Sequence, residues 1–227
     1  MGKIIVIDGL DGCGKATQTK IVYDKLVEKG YKVKKVSFPD YDSDSSALVK
    51  MYLGGEFGKT ANSVNPYTAS LFYSVDRAAQ FLKELREYYD NDYILLCDRY
   101  ISANIIYQGT KFNDIRDKQD YFRWMYDIEV NKIGLPKDDI TIALTLPIET
   151  SQKLMSRRYE GHEEKKDIHE ADLEFLSNCK NTVSIACEYL SSIGYNWVDL
   201  DCSDKNGDIR SLDEINSQIM KLIESVL

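Results

Sequence analysis

A chain of 227 residues, 43% of them hydrophobic, is long enough for one or two domains and can bury a sizeable core. Its 37 acidic residues outnumber 29 basic ones for a net charge of −8, which argues against a surface that wraps phosphate backbones, so no nucleic-acid partner is expected. No apolar run approaches the roughly 18 to 20 residues of a membrane helix, and the amino terminus turns acidic at Asp8, too early for a signal peptide; a cytoplasmic protein without membrane attachment is expected.

The first predicted element is a strand from Lys3 to Asp8, whose continuous run Ile4-Ile5-Val6-Ile7 suits a central parallel strand covered on both faces. A helical pattern through Ile21, Val22, Leu26 and Val27 should stop at Gly30, and a second strand runs from Val33 to Phe38. Leu71 to Arg77 reads as helix, and Tyr93 to Asp98 as another buried strand. Ile140 to Leu146 and Asn196 to Leu200 complete a set of five. Strands alternating with helices imply an α/β layer fold. There is no internal repeat and no low-complexity tract, and with only four prolines nothing marks a linker, so residues 1–227 are expected to form one domain with insertions. Five scattered cysteines without a Cys-x-x-Cys pair, and only two histidines, make a disulfide framework and a structural zinc site improbable.

Directly after the first strand, Gly9-Leu10-Asp11-Gly12-Cys13-Gly14-Lys15-Ala16-Thr17 fits Gly-x-x-x-x-Gly-Lys and opens a helix. Glycines let successive N–H groups turn into one concavity, the helix adds its positive end, and Lys15 can reach the outer phosphates of a nucleotide such as ATP. The motif's Ser or Thr, whose hydroxyl would bind Mg²⁺, is here Ala16, and Thr17 one residue later faces another way. A magnesium ion must then lean on phosphate oxygens, waters and carboxylates such as Asp11 or Asp98. Cys13, inside the loop at a helix start, is a candidate for a thiol of lowered pKa, although it also reads simply as a small residue.

Together with this loop, Phe38-Pro39, Asp98-Arg99-Tyr100 and Tyr107-Gln108-Gly109 resemble the thymidylate kinase family in order and spacing across nearly the whole chain. The resemblance implies a P-loop kinase three-layer fold, with a five-stranded parallel sheet, helices on both faces and a short lid. It also implies a homodimer that moves the γ-phosphoryl of ATP onto dTMP, with Mg²⁺, in dTTP synthesis.

By resemblance, Tyr73 stands where a phenylalanine stacks on thymine, Arg77 bonds a base carbonyl, and Asn104 or Gln108 reads the pyrimidine edge. Tyr107 crowds a 2′-hydroxyl, Phe38 lines the acceptor site, and Asp11 lies near the acceptor sugar and metal. Tyr73 and Arg77 are four apart on one helix face, but Phe72 and Tyr73 also read as core aromatics and Arg77 as an ion-pair partner. Asp98 and Arg99 end a buried strand, where open α/β sheets place ligands, and Arg99 offers a fixed cationic fork to a phosphate. The charged stretch 153–170 occupies the position of the family's lid, with Arg157 and Arg158 as the cations that close over the phosphoryl in flight. Asp167 and Glu170 resemble the acidic pair after the lid, although Ile168 and His169 depart from the pattern.

The family usually has an arginine just after Phe-Pro to hold the monophosphate, whereas this chain has Asp40 and Tyr41. Arg99 alone, Lys50 or another base must serve. Two other readings stay open: a deoxynucleoside kinase in which Asp40 or Asp11 is the base for a 5′-hydroxyl, and a non-catalytic ATP-binding switch. The choice between dTMP and dUMP is open as well.

Overall fold

The computed structural model describes residues 1–158 and 173–227, apart from the side chains of Arg157, Arg158 and Leu173. Five strands, β1 (Lys3–Gly9), β2 (Val33–Ser37), β3 (Ile94–Asp98), β4 (Ile140–Thr145) and β5 (Trp197–Asp201), form one parallel sheet in the order β2-β3-β1-β4-β5. Each lies within a residue or so of its expected span.

Consecutive residues of a strand point to opposite faces, so a strand buried at every position must be covered on both. Ile4 through Ile7 in β1 and all of β4 meet that condition, whereas the edge strands β2 and β5 are buried only at some positions. The cover comes from helices α1 (Lys15–Glu28), α2 (Ala47–Leu53), α3 (Pro66–Gln80), α4 (Arg86–Asp90), α5 (Ile101–Tyr107), α6 (Ile115–Tyr126), α7 (Ile148–Arg158), α8 (Leu173–Ser192) and α9 (Leu212–Glu224). α1 packs against β1, β2, β3 and α9, while α5, α6 and α8 pack on one another.

α1 ends as the sequence expects. Gly30 at φ +86° donates its N–H to Val27 O, and Tyr31 donates to Leu26 O at 3.1 Å, a pair of bonds that closes the last turn and needs a left-handed residue at position 30. α3 gains one π-helical turn, Phe81–Leu85, before α4, and α6 is followed by another, Asp127–Ile133. The second of these is where Glu129 enters the core.

Candidate active site

The carboxyl ends of β1, β2 and β3 carry the candidate residues, the position at which open parallel sheets leave a crevice. β1 runs out into the glycine-rich loop. Gly9 sits at φ +127°, and a Cβ there would lie 2.0 Å from Leu144 O, so no other residue fits. From α7, Ser151 Oγ donates to Asp11 O at 2.9 Å and pins the loop's middle, and Gly14 caps α1.

Lys15 is buried, and its ammonium donates to Gly9 O (3.1 Å), Leu10 O (2.8 Å) and Asp11 Oδ1 (3.2 Å). Arg99 Nη2 pairs with the same Asp11 oxygen, and the Tyr107 hydroxyl donates to Oδ2 at 2.7 Å. Burial pushes the Asp11 carboxyl up, but Arg99, Lys15 and Tyr107 outweigh it and hold the group well below the usual carboxylate range. Asp11 is therefore a permanent anion that gathers two cations and a phenol. The Arg99 guanidinium also lies 5.1 Å from the centre of the Tyr107 ring.

Arg99 has φ +70°, one of two non-glycine residues at positive φ among those described, a conformation that costs about 1–3 kcal/mol and tends to persist where geometry matters. Its N–H donates to Ile7 O at 3.1 Å, so the turn that aims Arg99 is tied to β1. Asp8, which the sequence reading passed over, ends the same buried run. It accepts from Gly9 N at 2.8 Å and from the Ser102 hydroxyl, with Arg99 Nη1 4.0 Å away. Burial pushes its pKa up. The signal that could have found Asp8 is the one that picked out Asp98: an acid at the carboxyl end of a buried strand.

Of the two carboxylates expected to face a metal, Asp11 already has both oxygens engaged, whereas Asp98 makes no hydrogen bond or ion pair with its carboxylate among the described residues. Ala16 is exposed and brings no hydroxyl. No group of three or more His, Cys, Asp or Glu side chains among the described residues is placed to enclose an ion. This donor set fits Mg²⁺ held chiefly by phosphate oxygens and water, with Asp98 the available protein carboxylate.

The residues expected to read a base are placed differently from one another. Tyr73 is half-buried, its ring edge-on to Tyr52 at 6.3 Å, and Phe72 also packs on Tyr52. Arg77 is 1% exposed, and its guanidinium forks onto Glu129, with Nε to Oε2 at 2.8 Å and Nη2 to Oε1; Ser74 Oγ adds a bond to Oε1 at 2.7 Å. The ion-pair reading of Arg77 thus holds, in the core rather than at the surface, because a buried guanidinium needs a buried partner. Nothing local in the sequence marks Glu129, which lies 52 residues away.

Asn104 is buried and donates to Ser70 O at 3.1 Å. Gln108 donates Nε2 to Tyr52 Oη at 3.5 Å, while its buried Oε1 has no partner among the described residues and is an unused acceptor. Lys111 reaches the same Tyr52 oxygen at 3.0 Å and Val64 O at 3.1 Å, and burial pulls its pKa down to about 8.

Phe38 is buried and 5.7 Å from the Tyr100 ring, with its N–H on Asp98 O at 3.1 Å, so the loop after β2 is fastened beside Asp98. Lys50, a candidate for the missing cation, places its ammonium on Tyr41 O at 3.1 Å in an exposed setting. Cys13 corrects an expectation: burial pushes its thiol up to about 12, so it is no reactive thiolate. Thr17 is exposed on α1. Arg157 and Arg158 are the last residues of α7, and the remainder of the expected lid from 159, with Asp167, Ile168, His169 and Glu170, lies outside the described residues.

Comparison with known proteins agrees with this geometry. The model of the family described as thymidylate kinase matches residues 7–194. The chain is similar to the thymidylate kinase of Geotalea daltonii, 31% identical over 162 residues that cover 71% of each chain. Similarity to the thymidylate kinase of Schizosaccharomyces pombe, at 26%, extends over 99% of this chain and 93% of that one. The solved structure of thymidylate kinase from Candida albicans superposes with a TM-score of 0.69 at 25% identity, covering 99% of this chain and 92% of its own. With the family model spanning most of its length and a relative 31% identical over 71% of each chain, the chain belongs to the thymidylate kinase family.

Proposed function

We propose that this protein transfers the γ-phosphoryl of ATP to dTMP, giving dTDP and ADP. The observation that carries the reading is the convergence of Lys15, Arg99 and Tyr107 on Asp11 at the carboxyl ends of β1 and β3, with the unpartnered Gln108 Oε1 among the aromatics nearby.

A monophosphate acceptor is already largely ionised at neutral pH, since its second pKa is about 6, so no general base is needed. Catalysis is then alignment and charge stabilisation. The loop N–H groups and Lys15 cradle the donor phosphates, Arg99 holds the acceptor phosphate beside them, and Arg157 and Arg158 close from the lid. Tyr73 lies along the base, Gln108 Oε1 accepts from its imide N–H, and Tyr107, held by Asp11, leaves no space for a 2′-hydroxyl. Asp98 would be the protein carboxylate that holds Mg²⁺, which would supply charge neutralisation at the donor phosphates. Asp11 is a poor candidate for the base that the nucleoside kinase alternative needs, because its carboxylate is held so far below the usual range.

The whole chain forms one kinase domain with its lid near 153–170, and it works as a homodimer in the cytoplasm. Exposed Leu71 and Val75, one turn apart on α3, with exposed Leu82 beyond them, support self-association, and the five free thiols suit a reducing compartment. Among the described residues no helix is long and apolar enough to cross a membrane.

The test is the initial rate of ADP release from Mg-ATP with dTMP, dUMP, thymidine or no acceptor. A rate that depends on dTMP supports the reading, a rate with thymidine alone overturns it, and silence with every acceptor favours the non-catalytic switch.

A further inference from the structure

Between Tyr73 and Arg77 on α3 stands Asp76, fully buried and without a cationic partner among the described residues. Its carboxylate is satisfied by three neutral donors: Ser45 Oγ to Oδ1 at 2.6 Å, Asp40 N–H to Oδ2 at 3.1 Å, and Gln80 Nε2 to Oδ2 at 2.8 Å. The first two belong to the loop after Phe38-Pro39, the segment in which Asp40 and Tyr41 replace the usual arginine. A buried carboxylate left without donors is costly, so the bonds hold from both sides, and the loop follows α3 wherever α3 goes. Ser45 is itself built in, since its hydroxyl also lies 2.8 Å from Ser43 Oγ and its N–H donates to that oxygen at 3.3 Å.

We propose that Asp76 is a positioning residue for acceptor recognition, tying the loop of residues 38–46 to the helix that carries Tyr73 and Arg77. The proposal rests on the reading of this end of the sheet as the acceptor site. A loop that offers no arginine must present its backbone and Tyr41 to the acceptor phosphate in one conformation, and Asp76 supplies that conformation without touching the acceptor.

Two measurements on the full-length protein test it. In hydrogen exchange followed by mass spectrometry, the peptide holding Asp40 should lose protection in Asp76→Asn and Asp76→Ala and keep it in Gln80→Ala, which leaves both loop bonds in place. In steady-state kinetics with Mg-ATP and dTMP, Asp76→Asn should raise the KM for dTMP about tenfold while the KM for ATP stays unchanged. Ser45→Ala should do the same, with strong coupling to Asp76→Asn in a double-mutant cycle. Unchanged protection in Asp76→Asn removes the tether and overturns the proposal. Lost protection with KM values unchanged, or with both KM values raised equally, makes Asp76 structural only and also overturns it. If the wild-type protein shows no turnover with dTMP, the functional reading falls and the proposed role in acceptor recognition falls with it, while exchange still decides whether the tether exists.

Discussion

Tyr107 donates its hydroxyl to Asp11 Oδ2 at 2.7 Å, while Oδ1 of the same carboxylate takes both Arg99 and Lys15. A single anion from the phosphate loop thereby fixes an α5 phenol, the arginine that follows β3 and the lysine that opens α1. An asparagine in its place would leave buried Lys15 and half-buried Arg99 facing a neutral amide. For Asp11→Asn we expect kcat to fall about 10²-fold or more, measured as dTDP formation under saturating Mg-ATP.

The same substitution has a pH signature. The folded-state pKa of Asp11 is depressed, so its stabilising contribution is fully present above its unfolded value of about 4 and is lost as pH falls through the folded value. Urea unfolding should show a wild-type advantage over Asp11→Asn that is flat from about pH 5 to 7 and shrinks below about pH 4. A gap that widens in acid contradicts the assignment.

Arg77 and Glu129 should behave as a unit. Removing one partner strands a buried charge, so Arg77→Ala or Glu129→Ala should each cost roughly 3–5 kcal/mol. Arg77→Met combined with Glu129→Leu should recover much of that stability. Chemical denaturation of the three variants beside the wild type measures both the cost and the recovery.

Lys111 gives a pH dependence of the same sign as Asp11, but in the alkaline range. Burial lowers its pKa to about 8, whereas an unfolded lysine titrates near about 10.4. Between these values the unfolded chain holds the extra proton, so this lysine makes the folded state gain stability as pH rises from about 8 to about 10. Lys111→Met should flatten that rise, and stability curves from about pH 7 to 10 compare the two.

Much of the architecture was written in local pattern. Continuous apolar runs in β1 and β3 implied coverage on both faces, because a period of two leaves no solvent side when every position is apolar. Gly30 marked the end of α1 through its left-handed conformation, and the glycine-rich loop announced itself because only glycine tolerates the approach of Gly9 to Leu144 O. Arg99, Tyr107 and Asp11 were likewise legible as motif residues, since fixed spacing along a strand end or helix carries them.

Partnership was not legible, because it depends on which distant elements the topology brings into contact. Glu129 meets Arg77 only because a π-helical turn after α6 packs against α3, and Asp76 meets Ser45 only because the loop after β2 folds over that helix. The fate of Cys13 turned on the same distinction: a helix start suggested an activated thiol, and burial, which no local pattern reveals, raised its pKa instead. Sequence determined which groups exist and their order along each element; tertiary packing decided which of them are desolvated, and desolvation is what turns neighbouring charges into fixed pairs.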